Sequence, residues 1–179
     1  MNKANKLIGM AVGAAMLGAS GLANAATVDL GPAGLGVPLS FSGFAPVGEF
    51  LDIFTFSLPP NGGSGYSVVN FPLSIPGVGS FNTIFSAMGL FSNPDGILFN
   101  FDDLFLVGAS TGGSSLSLTL PAAAVGNMYL GVTGITTGTI GGLYSGAISA
   151  AVVPLPPAAW MLGSALVGLV AVGRRKLGV

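Results

Sequence analysis

Turn-forming residues interrupt this chain so often between residues 26 and 152 that long helices are excluded there. The densest interruptions are Pro-Pro-Asn-Gly-Gly at 59–63, Asn-Pro-Asp-Gly at 93–96 and Thr-Gly-Gly at 111–113. Such residues supply positive φ, a fixed φ, or side-chain hydrogen bonds to the local backbone. Between them lie short apolar segments, which predict strands at 27–30, 39–44, 49–58, 66–73, 81–88, 97–107, 114–120, 127–136 and 143–152. A short helical turn is the alternative for 83–91. Strands of this length and spacing predict an all-β fold, a single antiparallel β-sandwich of jelly-roll or Ig-like type.

The charges are segregated along the chain. All five Lys and Arg sit near the ends (Lys3, Lys6, Arg174, Arg175, Lys176), and all six acids lie between them: Asp29, Glu49, Asp52, Asp95, Asp102 and Asp103. The central part of about 128 residues therefore carries a formal charge of −6, which the whole-chain value of −1 conceals. Without a basic side chain it has nothing to replace phosphate counterions, so nucleic acid is not an expected partner. It contains no Cys and no His, which removes disulfides, thiol chemistry, the usual general base and the commonest metal ligand. Twelve Phe, all in this region, supply a core.

The two ends read as targeting segments. Lys3 and Lys6 precede an apolar run at 7–19, and Ala23-Asn24-Ala25 is a small-x-small cleavage site before Ala26. That is the pattern of a secretory signal peptide spanning 1–25. At the other end a proline knot, Val153-Pro154-Leu155-Pro156-Pro157, is followed by an uncharged run at 158–173 and then by Arg174-Arg175-Lys176. Proline separates the preceding domain from a helix. At about 1.5 Å per residue the run covers about 24 Å, somewhat short of a hydrocarbon core of about 30 Å. Trp160 and the basic cluster suit an aromatic anchor and a cytoplasmic stop. A plain C-terminal membrane anchor accounts for these features.

The order of parts in 153–176 also closely resembles the PEP-CTERM sorting segment of Gram-negative bacteria, with Leu155 where the name-giving motif has Glu. The resemblance implies export, passage through the inner membrane on a transmembrane helix at 158–173, and cutting near Val153-Pro154-Leu155-Pro156 by an exosortase-type protease. The expected organisation is then a signal peptide at 1–25, a mature domain at 26–152 and a sorting segment at 153–179.

One motif occurs twice within the mature domain. Phe50-Leu51-Asp52-Ile53-Phe54 and Phe101-Asp102-Asp103-Leu104-Phe105 both read Phe-x-Asp-x-Phe, 51 positions apart. On a strand each motif places two phenylalanines and one carboxylate on the same face. A carboxylate among apolar rings is costly unless it is hydrogen-bonded or bound to a cation. Asp52 and Asp103 are therefore expected to accept backbone N–H bonds from a turn or to point inward at an edge; Ca²⁺ is the alternative partner. The first copy, with Gly141-Gly142-Leu143-Tyr144-Ser145-Gly146 further on, resembles the FxDxF subgroup of PEP-CTERM proteins. That subgroup implies a β-rich product of the biofilm and exopolysaccharide surface system, without an established activity.

Catalytic constellations are missing from the sequence. A Ser triad lacks its base, and a pair of carboxylates such as Asp52 with Asp103 is a weak basis for glycoside hydrolysis. Tyr66, Tyr129 and Tyr144 remain as aromatic platforms, and Tyr144 is expected instead to cover neighbouring glycines. The expected function is a structural, non-enzymatic protein of the cell surface or extracellular matrix, without a cofactor. A glycan- or Ca²⁺-binding module is the alternative.

Overall fold

A computed structural model describes residues 24–110, 112–121, 123–153, 161–167 and 169–170. Lys3, Lys6 and Ala23 of the expected leader, the apolar run at 7–19, the Pro154-Leu155-Pro156 motif and the basic Arg174, Arg175 and Lys176 lie outside these. Residues 161–167 and 169–170 are helical. Among the described residues no helix is long and apolar enough to cross a membrane.

Eleven strands make up the rest. They are β1 (Asn24–Pro32), β2 (Leu39–Ala45), β3 (Gly48–Leu58), β4 (Ser64–Asn70), β5 (Leu73–Ile75), β6 (Gly79–Phe81), β7 (Thr83–Ser92), β8 (Leu104–Ala109), β9 (Ser115–Leu120), β10 (Gly126–Thr136) and β11 (Gly142–Ala150). A five-stranded sheet has the order β1-β3-β10-β7-β8, and a four-stranded sheet has the order β2-β11-β4-β9. The β5–β6 hairpin stands apart. Successive strands mostly change sheets, so among strands adjacent in sequence only β7–β8 pair within a large sheet.

The two sheets face one another across a single core. Phe50, Phe54, Phe56 and Leu58 alternate along β3 and meet Phe41 of β2, Tyr66 and Val68 of β4, and Tyr144 and Ile148 of β11. The ring centroids of Phe41 and Phe54 are 4.2 Å apart, and those of Phe56 and Tyr66 6.1 Å. Glycines make this tight aromatic layer fit. Tyr144 lies directly across from Gly43, Phe41 across from Gly146, and Phe50 across from Gly134. In each pair the ring occupies the space where a Cβ on the glycine would sit. A large ring over a cross-strand glycine fills the layer without separating the strands.

The all-β reading holds, with two corrections. First, β1 pairs with β3 in parallel, so the sandwich is not wholly antiparallel. β1 is an edge strand reached by a crossover through β2 in the other sheet, and that path brings it alongside β3 in the same direction. Second, the expected strand at 97–107 begins only at Leu104. Asp95 Oδ1 accepts the Ile97 N–H at 2.8 Å, and Phe99 has a φ of 61°, so the local hydrogen bonds and a left-handed residue keep this stretch out of the sheet. The segment at 83–91 is strand rather than helical turn, and the short β5–β6 hairpin has no counterpart in the expected pattern.

Gly146→Ala should test the glycine–ring pairing. Its Cβ would meet both the Phe41 ring and the Ser67 carbonyl oxygen. The expected loss is about 1–3 kcal/mol in denaturant unfolding, in the range of core overpacking.

Candidate functional site

Strand alternation places Asp52 with Phe50 and Phe54 on the inner face of β3, where it is only 4% exposed. Its carboxylate is engaged by two separate elements. The Tyr144 hydroxyl, reaching from β11 in the opposite sheet, donates to Oδ2. The backbone N–H of Ala26, on β1, donates to Oδ1 at 3.1 Å. The Tyr144 ring is stacked on Phe50 with centroids 5.7 Å apart, and it meets Phe54 and Phe85 edge-on at 6.4 and 5.7 Å. The first Phe-x-Asp-x-Phe motif is thus a socket: two phenylalanines hold the tyrosine ring, and the aspartate between them takes its hydroxyl. Tyr144 also covers Gly43. The two patches singled out in the sequence, around Asp52 and around Tyr144, meet here.

Burial pushes the Asp52 carboxyl above the ordinary carboxylate range, against the opposing effect of the Tyr144 and Ala26 hydrogen bonds. Tyr144 is held far above the usual phenol range by burial first, then by the negative charge of Asp52 and the hydrogen bond to it. The pair is suited to holding the sheets together with a proton kept on the phenol.

The second motif does something different. Its residues do not share a strand face: Phe101 lies in a turn, fully exposed, while Phe105 on β8 packs against Phe91 at 5.3 Å. Asp103 Oδ2 accepts the Asn100 N–H of its own turn and the Tyr129 hydroxyl, both at 3.2 Å. Tyr129 projects from the outer face of β10, stacked on Phe91 at 4.8 Å and touched by the edge of Phe99. With Leu51, Ile53 and Leu98 these rings form a small second core under the 93–103 loop. Burial, followed by the charge of Asp103, pushes the Tyr129 phenol up strongly.

Each aspartate therefore binds one tyrosine, on opposite faces of the five-stranded sheet, and the two sites are separate. The sequence gives no direct sign of either tyrosine partner or of the Ala26 donor, because each comes from a strand distant in sequence. Among the described residues no group of three or more acidic side chains is placed to hold a metal ion. Ala25, expected from the sequence at a cleavage site, lies in β1, paired with Leu51, and Val153 lies just beyond β11.

No family model and no curated protein matches the chain. Among solved structures it is similar to the pre-peptidase C-terminal domain of a collagenase from Bacillus anthracis, at 17% identity, covering 71% of this chain and 96% of that one, with a TM-score of 0.38. It is also similar to CorA, a surface-associated copper-binding protein important in copper acquisition by Methylomicrobium album BG8, at 8% identity, covering 70% of this chain and all of that one, with a TM-score of 0.41. At these scores neither likeness bears on what this chain does.

Two outcomes are expected of the tyrosine clasps. Tyr144→Phe should cost about 1–3 kcal/mol, because it leaves a buried carboxylate oxygen without its donor. In alkaline titration the native protein should form little phenolate beyond pH 10, the usual tyrosine value, since Tyr66, Tyr129 and Tyr144 are all shifted upward. The stability they contribute is fully present below pH 10 and is lost as pH rises through the raised values, so phenolate absorbance should appear together with unfolding. Phenolate forming near pH 10 with the fold intact would contradict this.

Proposed function

We infer that this chain is an exported, non-enzymatic structural protein, sorted through the inner membrane to the cell surface or extracellular matrix of a Gram-negative bacterium. The observation that carries this reading is the fixed order of parts at the C-terminus: Val153-Pro154-Leu155-Pro156, then an uncharged run at 158–173, then Arg174-Arg175-Lys176. The leader pattern ending at Ala25 supports it from the other end. An exosortase-type protease is the processing partner in this reading, and secreted polysaccharide is the surrounding medium.

The mature domain suits such a role. It carries six acids and no basic side chain, a surface that stays solvated and does not adhere to anionic polymers. Its one fully buried carboxylate, Asp52, has a hydrogen-bond donor on each oxygen and faces the core, where it joins the two sheets. A catalytic carboxylate would instead face a cleft and keep an oxygen free for substrate.

Two sets of variants in the exported chain test the sorting reading. Replacing Arg174, Arg175 and Lys176 with Gln should impair the membrane stop and delivery, because positive charge fixes the cytoplasmic end of the helix. Replacing Pro154 and Pro156 with Ala should leave insertion intact and block cutting, so that intact mass shows the tail retained. Wild-type processing and delivery in both sets would sink the reading. On the cell's own polysaccharide, saturable binding with a sugar preference would point to a binding module in place of a structural component.

A further inference from the structure

Asp52 is the one fully buried carboxylate among the described residues, and no Lys, Arg or His occurs anywhere from residue 7 to residue 173. A buried carboxylate with only neutral donors carries much of its desolvation cost uncompensated. One of those donors is the backbone nitrogen of Ala26, 3.1 Å from Oδ1. Ala26 is also the first residue after the small-x-small site Ala23-Asn24-Ala25. The register of β1 on β3 thus brings to the carboxylate the atom that leader removal would convert from an amide into an amine.

We propose that hydrolysis of the Ala25–Ala26 bond turns the Ala26 nitrogen into an α-ammonium that pairs with Asp52, so that the new N-terminus becomes the counter-ion of the buried carboxylate. The proposal rests on the leader reading given above. In the reaction, catalysed by a leader peptidase, water adds across the amide: the C–N bond breaks, the Ala25 carbonyl carbon gains oxygen and leaves as a carboxylate, and the nitrogen takes up protons to become –NH₃⁺. No electrons are transferred, and water is the only co-reactant.

The geometry needs little change for this pairing. Thr27, Val28 and Asp29 stay paired with Ile53, Phe54 and Thr55, so the strand still delivers residue 26 to the same place, and only the Asn24 and Ala25 pairs are given up. Ala26 is exposed, so the remaining ammonium protons reach water while one points at Oδ1. A single neutral N–H donor to the carboxylate is replaced by a cationic one, so the attraction of opposite charges is added to the hydrogen bond already made there. The titratable groups around the nitrogen are few. Asp52 faces it from β3 and Tyr144 lies behind Asp52 on β11. Asp29, further along β1, is occupied by the Gly31 N–H and the Thr55 hydroxyl. Glu49 falls on the opposite face of β3 by strand alternation, and β2 contains no titratable side chain. Leader removal thus supplies the cation that the core otherwise lacks.

The test uses the full precursor, exported and processed by the cell. Intact mass fixes the N-terminus, and trace acetic anhydride then labels the α-amine over a range of pH. The domain has no lysine, so the label is read on the N-terminal peptide alone, and any retained Lys176 reports separately on its own peptide. An unpaired α-amine titrates at about 7.7–8.0. The expected result is a mass beginning at Ala26 and labelling at about pH 6.5, well below both amine values, that is about tenfold slower than in Asp52→Asn, since a rise of one pKa unit is there a tenfold change in free amine. The thermal midpoint of the wild type should correspondingly decline as pH rises through the raised amine value, and less so in Asp52→Asn. If Asp52→Asn fails to fold, Tyr144→Phe serves, because it keeps the carboxylate and should keep the slow labelling. A chain that begins at Ala26 but whose amine titrates at the ordinary value overturns the pairing and leaves the leader reading standing. A mass beginning at any other residue overturns both.

Discussion

Burying a carboxylate between two packed sheets costs several kcal/mol unless its oxygens find donors that the surrounding structure holds in place. In this sandwich Asp52 sits in that position, and much of the architecture bears on how it is satisfied. β11 must lie opposite β3 for the Tyr144 hydroxyl to reach Oδ2, and β1 must run parallel to β3 for the Ala26 nitrogen to reach Oδ1. Gly43 must be glycine for the tyrosine ring to lie flat across β2, and Phe50 and Phe54 must flank the carboxylate to grip that ring. A polar contact with such demands is a device for register: a slip of one residue in β11 or in β1 would leave one buried carboxylate oxygen without its donor.

The same chemical pair, an aspartate and a tyrosine, is used again on the outer face of the five-stranded sheet with another purpose. Asp103 binds Tyr129 from a loop, and what it fixes is the cover over Leu51 and Ile53 rather than the meeting of two sheets. The two motifs are alike in sequence but differ in backbone. The first lies inside an eleven-residue strand, and the second begins in a turn and enters its strand only at Leu104. Phe101 consequently points into solvent while its counterpart Phe50 is buried.

Much of the fold was legible in the sequence because its signals are local. Turn residues at 59–63 and 93–96 and alternating phenylalanines along 50–56 place β3 and the loops beside it correctly. What was illegible is non-local. The parallel pairing of β1 depends on which strand fills the sheet edge, and no residue of β1 declares it. Phe99 gives no sign of a left-handed backbone, so the Phe- and Leu-rich stretch at 97–107 reads as strand until the hydrogen bonds of Asp95 and Asp103 are seen. The site divides in the same way. That Asp52 needs a partner follows from its neighbours in sequence; that the partner is Tyr144, 92 positions later, does not.

That distance has a consequence for the order in which the molecule can be assembled. β10 and β11, the last two strands, are interior members of their sheets, so neither sheet has its middle until nearly the whole domain is available. A chain threaded N-terminus first through a narrow pore would deliver Asp52 long before Tyr144, and the carboxylate would stay hydrated in the meantime. Pairings of such long sequence separation form slowly. The topology itself thus delays collapse: an early-emerging segment has no native sheet centre to dock on, and the fold completes only when the strand just ahead of the proline knot arrives.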